Sequence, residues 1–224
     1  MTGPFDRALE HEALIAAAHE YGLWHGPPGS SEYLSAWYRF RREARASKGA
    51  GDRRPAQDAR RPPSADLRQA DLVREVLDSA IQHAMGIDEA MMATAQLLQP
   101  RSRALLLVAQ QGFSAEFLDF FKIVRDATTA CGSALEHGAP VLISDITNSP
   151  VFARTAGLGV MLRAGSRAVA SLPVRAPNGR VIAMISTHHS RRRTWTDRRI
   201  EALQEVCRST GLLLHRALVD LASG

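Results

Sequence analysis

Cysteine, aromatic residues and long apolar runs are all scarce in this chain of 224 residues. It has only two cysteines, Cys131 and Cys207, which lie too far apart for a disulfide framework or a thiolate metal site. No apolar run approaches the ~20 residues that a membrane-spanning helix needs. The first residues, Met1 to Asp6, lack the basic and then apolar pattern of a secretory signal. We therefore expect a cytoplasmic protein that makes no contact with a membrane.

Motifs that define common catalytic sites are also missing. No glycine-rich phosphate loop joins a strand to a helix, and no serine, histidine and aspartate follow one another in a specific pattern. His188 and His189 are adjacent, but strand alternation places them on opposite faces, where they cannot chelate one metal. The sequence thus predicts a protein that is not an enzyme and that holds no metal and no cofactor.

The formal net charge of +5 is concentrated in one stretch, Arg39 to Arg61. Nine basic residues oppose three acidic ones there, so the stretch carries +6 and the rest of the chain −1. Its second part, residues 47–63, is rich in Pro, Gly and Arg and is predicted to be a linker. A solvated linker is the simpler interpretation, and contact with nucleic acid or an acidic partner is the alternative.

Residues 1–46 are predicted to form an N-terminal helical segment. The composition from Phe5 to Tyr21 favours a first helix, and Gly22 and then residues 26–29 end it. A second helix is predicted from Ser31 to Ala46.

Residues 64–224 are predicted to form one α/β domain. The first helix is expected from Ser64 to Ala84, with Gly86 as its end, followed by strands from Met91 to Leu98 and from Ala104 to Ala109. The middle of the domain is predicted to contain helices over Ala115–Val124 and Thr129–His137, a strand over Pro140–Asp145 and a partly helical stretch over Ser149–Ala164.

Two apolar strands around Asn178 and Gly179 predict an antiparallel hairpin. They extend over Ala168–Val174 and Arg180–Thr187, and an Asn-Gly pair readily supplies the two positive φ angles of a tight turn.

A last helix is predicted to begin at Thr196 as its N-cap. Its apolar and small residues alternate three and four apart, a spacing that predicts a helical seam and a candidate dimer interface. The residues of this seam are Ile200, Leu203, Cys207, Thr210, Leu214, Ala217 and Leu221.

Several blocks in order resemble the GAF family over roughly Leu67 to Leu218. They are Leu106–Phe113 with Phe117–Phe121, Ala130–Leu135, Glu136–Val141 with Asp145 and Ser149–Phe152, Ala164–Val169 with Ser171–Pro173, and Ile185–His188. The resemblance is to GAF domains attached to bacterial histidine kinases and transcription regulators. It implies an antiparallel sheet of five to six strands between the terminal helices and middle helices that cover a pocket.

Candidate pocket residues follow from the resemblance together with strand parity. They are Val108, Phe113, Phe117, Phe121, Cys131, Phe152, Met161, Met184, Ser186 and His188. For each of them, ordinary core packing is the alternative interpretation. Cys131 begins a short helix, where a lowered thiol pKa would suit a redox role, although packing as a small core residue is the simpler interpretation.

The signatures of well-known GAF ligands are not evident. The chain lacks the residue set of cyclic-nucleotide-binding members, the cysteine followed by histidine that attaches a bilin, and the several pocket cysteines of members that reduce free methionine sulfoxide. We therefore predict a non-catalytic sensor that binds a small molecule or a signalling protein and acts as a homodimer. The alternatives are a transcription-associated regulator that uses Arg39–Arg61, and a redox sensor or enzyme that uses Cys131.

Overall fold

The structure is a computed structural model that describes residues 65–223 and, before them, only Ala16. The predicted N-terminal helices, the linker and the basic stretch Arg39–Arg61 lie outside the described residues, apart from Ala16.

Within residues 65–223 the chain forms five α-helices, six strands and one short 3₁₀ helix. In chain order they are α1 (Ala65–Asp88), β1 (Met92–Leu98), β2 (Leu105–Gln111), α2 (Ala115–Phe121), β3 (Ile123–Val124), α3 (Ala130–His137), β4 (Val141–Ile143), the 3₁₀ helix (Ile146–Asn148), α4 (Ala156–Arg163), β5 (Ala168–Arg175), β6 (Val181–His189) and α5 (Asp197–Ser223).

The six strands form one antiparallel sheet in the order β3-β2-β1-β6-β5-β4. This confirms the predicted fold class. The prediction that a helix runs from Ala115 to Val124 is wrong in its last part, because α2 ends at Phe121 and β3 follows at once. Ile123 and Val124 pair with β2 at the edge of the sheet, and this pairing buries Val124.

The first helix does not end at Gly86 but continues to Asp88. Gly86 faces open space, and a single glycine costs a helix only about 1 kcal/mol. Asp88 is fully buried beyond it, so tertiary contacts hold the last turn in place. The chain leaves the helix at Glu89, whose φ is 54°.

The β5–β6 hairpin is confirmed, but its turn differs from the predicted one. Gly179 N–H donates to the Ala176 carbonyl over 2.9 Å, so Pro177 and Asn178 are the central residues of the turn. Only Gly179 of the Asn-Gly pair has a positive φ, at 82°. Because Pro177 holds its own φ near −65°, it favours an ordinary turn followed by one left-handed glycine over the mirror-image turn that two positive φ angles would give.

Apolar side chains cover both faces of the sheet. On one face, α1 and α5 pack against the central strands and against each other. Gly211 lets α5 come close to β5, since a Cβ there would lie 2.0 Å from the Arg175 carbonyl oxygen. On the other face, α2, α3, α4 and the segment around Phe152 cover the sheet. The central strands are therefore buried on both sides.

Candidate ligand pocket

A row of polar side chains crosses the middle of the sheet on the face that α2, α3 and α4 cover. Strand alternation turns Thr94 and Gln96 of β1, Ser186 and His188 of β6 and Ser171 of β5 toward this face. Thr94 lies opposite Ser186, and Ser186 lies opposite Ser171. All five side chains are buried. We call these five residues the polar row.

The polar row forms the floor of a cavity, and aromatic and sulfur-containing side chains close it. The covering residues are Phe117 and Phe121 from α2, Thr129, Ala130 and Cys131 at the start of α3, Phe152, and Met161 from α4, while Val169 lies beside the floor. The cavity has a volume of about 20 Å³. One ordered water needs roughly 10–15 Å³. A ligand larger than a few atoms therefore requires the cover to move.

Two hydroxyl groups of the polar row hydrogen-bond each other, whereas the amide oxygen of Gln96 has no donor in the part of the chain that the structure describes. Ser171 Oγ and Ser186 Oγ lie 2.7 Å apart, within hydrogen-bonding distance. Gln96 is 2% exposed. Its Oε1 atom meets no hydrogen-bond donor among the described residues. A buried carbonyl oxygen without a donor costs about 1–3 kcal/mol, so this position is unfavourable for stability alone.

His188 contributes an uncharged ring to the cavity. Its Nδ1 lies 3.1 Å from Ser166 Oγ, and the rings of Phe113 and Phe117 meet it edge-on at 4.9 and 5.9 Å between centroids. Burial, with a smaller contribution from His189, lowers the pKa of His188 from 6.5 to about 3. The imidazole is therefore neutral at physiological pH and is a weak base.

Cys131 lies at the cavity as a protonated thiol. Burial raises its pKa, although hydrogen bonds from Thr129 and Gln96 oppose the effect. The sulfur is 3.3 Å from Thr129 Oγ1, whose oxygen also caps α3 by accepting from the Gly132 N–H. The helix start therefore does not generate the thiolate that a redox nucleophile needs.

Seven of the ten predicted pocket residues line this one cavity. They are Phe117, Phe121, Cys131, Phe152, Met161, Ser186 and His188. Met184 packs in the same apolar cluster, and Phe113 stacks on Phe117 at 3.7 Å between ring centroids. Neither of them is part of the cavity lining.

The prediction that Val108 lines the pocket is wrong, because strict strand alternation does not hold in β2. Ala95 lies opposite Ala109 while Gln96 lies opposite Leu107, so Val108 is the extra residue of a β-bulge. The bulge shifts the parity of the strand, and Val108 packs with the α1 and α5 core.

Sequence reasoning missed the polar row on β1 and β5. Thr94, Gln96 and Ser171 each interrupt an apolar strand at a position that faces the same side as Ser186. Polar residues at alternate positions of a strand that is buried on both faces are the signal that could have found them.

A second polar cluster lies on the opposite face of the sheet, at the end of α1. Asp88 accepts hydrogen bonds from Thr187 Oγ1 and from Trp195 Nε1, the latter at 2.9 Å, and its Oδ2 lies 2.8 Å from His189 Nε2. Arg193 also donates to the Asp88 carbonyl over 2.7 Å. We call Asp88, Thr187, His189 and Trp195 the Asp88 cluster. It joins the end of α1 to β6 and to the start of α5.

The predicted helical seam is buried within this chain. Leu203, Cys207, Thr210, Leu214, Ala217 and Leu221 are buried, and Ile200 packs at the edge of the core that α5 forms with α1 and the sheet. The predicted N-cap is present, since Thr196 Oγ1 accepts from the Arg199 N–H at 3.4 Å. Other apolar residues of the two helices are exposed, with Leu212 at 60%, Leu213 at 61%, Leu72 at 40% and Val219 at 36%. An interface through α5 would therefore use this outer face.

No helix within residues 65–223 is long and apolar enough to cross a bilayer. In the same part of the chain, no three His, Cys, Asp or Glu side chains are grouped so that they could hold a metal ion.

Comparison with known proteins identifies the fold. The protein is similar to a GAF domain/HD domain protein from Geobacter sulfurreducens, with 16% identity, a TM-score of 0.55, and 67% of this chain and 97% of that chain covered. The GAF domain of an Acinetobacter phosphoenolpyruvate-protein phosphotransferase matches with 13% identity, a TM-score of 0.52, and 67% and 94% covered. A type II free methionine-R-sulfoxide reductase from Thermoplasma acidophilum matches with 16% identity, a TM-score of 0.52, and 65% and 94% covered.

A comparison with curated protein sequences finds no match. The family model of the GAF domain matches residues 70–214, which is more than half of the chain. The fold is also similar to a domain of a putative two-component sensor histidine kinase from Sinorhizobium meliloti, with 17% identity, a TM-score of 0.50, and 61% of this chain and 86% of that chain covered. The chain belongs to the GAF domain family.

Proposed function

We propose that this GAF domain is a non-catalytic sensor that binds a small molecule in the cavity above the polar row and acts in the cytoplasm. The observation that carries the proposal is Gln96, a buried polar side chain whose Oε1 meets no donor in the part of the chain that the structure describes. A protein core does not gain stability from such an atom, whereas a binding site needs it to recognise a ligand.

The chemistry of the cavity supports binding more than catalysis. The Cys131 thiol has a raised pKa and the His188 imidazole has a pKa of about 3, so neither is a strong nucleophile or an effective base near neutral pH. No acidic side chain lines the described cavity to act with them. The redox alternative predicts that Cys131→Ser loses the response of the wild type to peroxide. An unchanged response in Cys131→Ser would eliminate this alternative.

Strand β6 connects the cavity to the helices that would carry the output. His188 faces the cavity, and the next residue, His189, contacts Asp88 at the end of α1. A ligand that moves this end of β6 also moves the junction of α1 and α5. This gives the sensor a route from the cavity to the outer face of the helices.

Native mass spectrometry of the purified full chain tests the binding. We expect a retained small molecule in the wild type and its loss in Ser186→Leu, whose side chain would fill the cavity. Ser209→Leu, on the exposed side of α5, is the matched control and should retain the molecule. A wild type that retains nothing and that no compound of a metabolite collection stabilises thermally would contradict the proposal.

We further propose that the sensor forms a homodimer through the outer face of α1 and α5. The helices run antiparallel, since Asp88 at the end of α1 contacts Trp195 just before α5. Leu72 near the start of α1 therefore lies toward the later part of α5, which carries Leu212 and Leu213. Sedimentation should show a dimer at micromolar concentration and a monomer for Leu212→Glu/Leu213→Glu. A monomeric wild type would eliminate this part of the proposal.

Regulation through nucleic acid or RNA polymerase remains an untested prediction for Arg39–Arg61. It predicts binding that falls steeply with salt and disappears when residues 1–63 are removed.

A further inference from the structure

The cavity contains hydrogen-bonding groups but no charge. Its polar lining consists of hydroxyls, one amide, one thiol and one imidazole, and no Asp, Glu, Lys or Arg is among the described lining residues. The two groups that could ionise are held neutral: burial lowers the pKa of His188 to about 3 and raises the pKa of Cys131. An ion that entered would lose its hydration without meeting a counter-charge, which is a large cost.

The carbonyl oxygen of the Gln96 side chain is available to accept a hydrogen bond from a ligand. This Oε1 atom is buried and has no hydrogen-bond donor within residues 65–223. The free group is therefore an acceptor, and an N–H or O–H of a ligand would satisfy it.

The serine pair offers the complementary group. Ser171 and Ser186 have one proton each, and one hydroxyl donates to the other across 2.7 Å. The hydroxyl that accepts keeps its own proton free to donate elsewhere. The floor of the cavity thus combines one acceptor on β1 with one donor on β5 or β6.

The side chains that cover the cavity favour a ligand that is apolar and flat outside its hydrogen-bonding group. Phe117, Phe121 and Phe152 supply three aromatic rings, and Met161 supplies a flexible thioether. Since the cavity of about 20 Å³ is too small for a ring, binding requires α2 to move away from the sheet. The exposed ion pair between Glu116 Oε1 and Arg163 Nη2, 2.7 Å long, joins α2 to α4, and such a pair is weak enough to open.

We propose that the cavity binds an uncharged molecule with an N–H donor next to a carbonyl acceptor, as in a carboxamide, lactam or urea, on an apolar ring or short chain. The inference rests on the proposed function, because it names the class of ligand for the same cavity. Gln96 would accept the N–H, and the Ser171–Ser186 pair would donate to the carbonyl.

Two matched sets of probes test the proposal on the full chain by NMR titration. The first is benzamide, benzoate, benzamidinium and acetophenone, which share a ring and differ in charge or donor. The second is acetamide, acetate and acetamidinium, which need less room. Each probe is titrated into the wild type, Gln96→Leu and the control Gln82→Leu, which changes an exposed glutamine of α1.

We expect one of the two amides to shift the resonances of the cavity residues and to bind at least tenfold more tightly than its charged analogues. Gln96→Leu should weaken this binding about tenfold and Gln82→Leu should not change it. Acetophenone, which lacks the N–H donor, should bind the wild type about as weakly as benzamide binds Gln96→Leu.

Four results would overturn the inference. A charged probe that binds the cavity as tightly as its amide, or acetophenone that binds as tightly as benzamide, would eliminate the proposed ligand class while the proposed sensor function stands. Retention of a charged molecule in native mass spectrometry would have the same consequence. Binding of no probe to the cavity would also eliminate the proposed ligand class. Native mass spectrometry, through the presence or absence of a retained molecule, would then test the sensor function separately.

Discussion

The sheet buries a carboxylate on one face and an amide on the other, and these two groups have opposite surroundings. On the face that α1 and α5 cover, which we call the helix face, the carboxylate of Asp88 is surrounded by the donors Thr187 and Trp195 and by His189. On the face that carries the polar row, which we call the cavity face, Gln96 Oε1 has no donor among residues 65–223 and the His188 ring is held neutral. The first arrangement stabilises the fold, and the second leaves hydrogen-bonding capacity for a ligand.

Four consecutive residues of β6 serve both arrangements. Ser186 and His188 face the cavity, and Thr187 and His189 join the Asp88 cluster. Because side chains of a strand alternate, one short segment supplies both faces. The difference between the faces therefore arises from the partners that the helices and the cover provide.

The largest expected effect follows from removing the carboxylate of the helix face. Asp88→Ala should lower the free energy of unfolding by about 3–5 kcal/mol, because it leaves buried donors without their acceptor. Chemical denaturation measures the change. Asp119→Ala is the control, since Asp119 is 78% exposed in a surface ion pair and its loss should cost less than about 1 kcal/mol.

If Asp88→Ala does not fold, Trp195→Phe removes a single donor of the cluster and should cost about 1–2 kcal/mol. Equal stability of this variant and the wild type would show that the Asp88 cluster does not hold α5 to α1.

The next effect is the pH dependence of the free energy of unfolding that the buried, neutral His188 causes. The folded protein keeps His188 neutral down to a pH of about 3, while an unfolded chain takes up this proton near 6.5. The unfolded state thus binds more protons between these values, so stability is complete above about pH 6.5 and falls as the pH is lowered toward 3. His188→Gln should remove up to roughly 1.4 kcal/mol per pH unit of this dependence.

Denaturant titrations between pH 4 and 8 measure the slope, with the exposed His83→Gln as the control. The same slope in the wild type and in His188→Gln would contradict the assignment of a neutral, buried His188.

A smaller effect concerns the serine pair of the cavity floor. Ser186→Ala leaves Ser171 Oγ without its partner and should cost about 1 kcal/mol. By the same argument, Ser171→Ala should cost about 1 kcal/mol. Ser171→Ala/Ser186→Ala removes both hydroxyls and should be nearly as stable as the wild type, so the double-mutant cycle should show a coupling of about 2 kcal/mol. Additive losses in the double variant would mean that the serines stabilise the fold through other partners.

The parts of the fold that sequence could predict are those set by local pattern. The β5–β6 hairpin, the N-cap at Thr196 and the opposite faces of His188 and His189 depend on alternation and on neighbouring residues. The GAF resemblance and strand parity also selected Ser186 and His188, which line the cavity.

What could not be predicted depends on contacts between distant segments. Asp88 joins residues about 100 positions apart, and nothing near it in sequence indicates its partners. The bulge at Val108 depends on how β1 pairs with β2, and the turn at Asn178 depends on the preceding Pro177. Gly86 shows the same limit, since the buried Asp88 outweighs the local preference of glycine to end a helix.

The free energy of unfolding of Gln96→Leu, measured without ligand, tests most directly whether the cavity face serves binding instead of stability. We expect a rise of about 1 kcal/mol, because the substitution removes a buried oxygen that has no donor among the described residues and keeps most of the side-chain volume. Thr187→Val, the equivalent removal of a buried polar group from the helix face, should lower it. A loss of stability in Gln96→Leu as large as that in Thr187→Val would contradict the account.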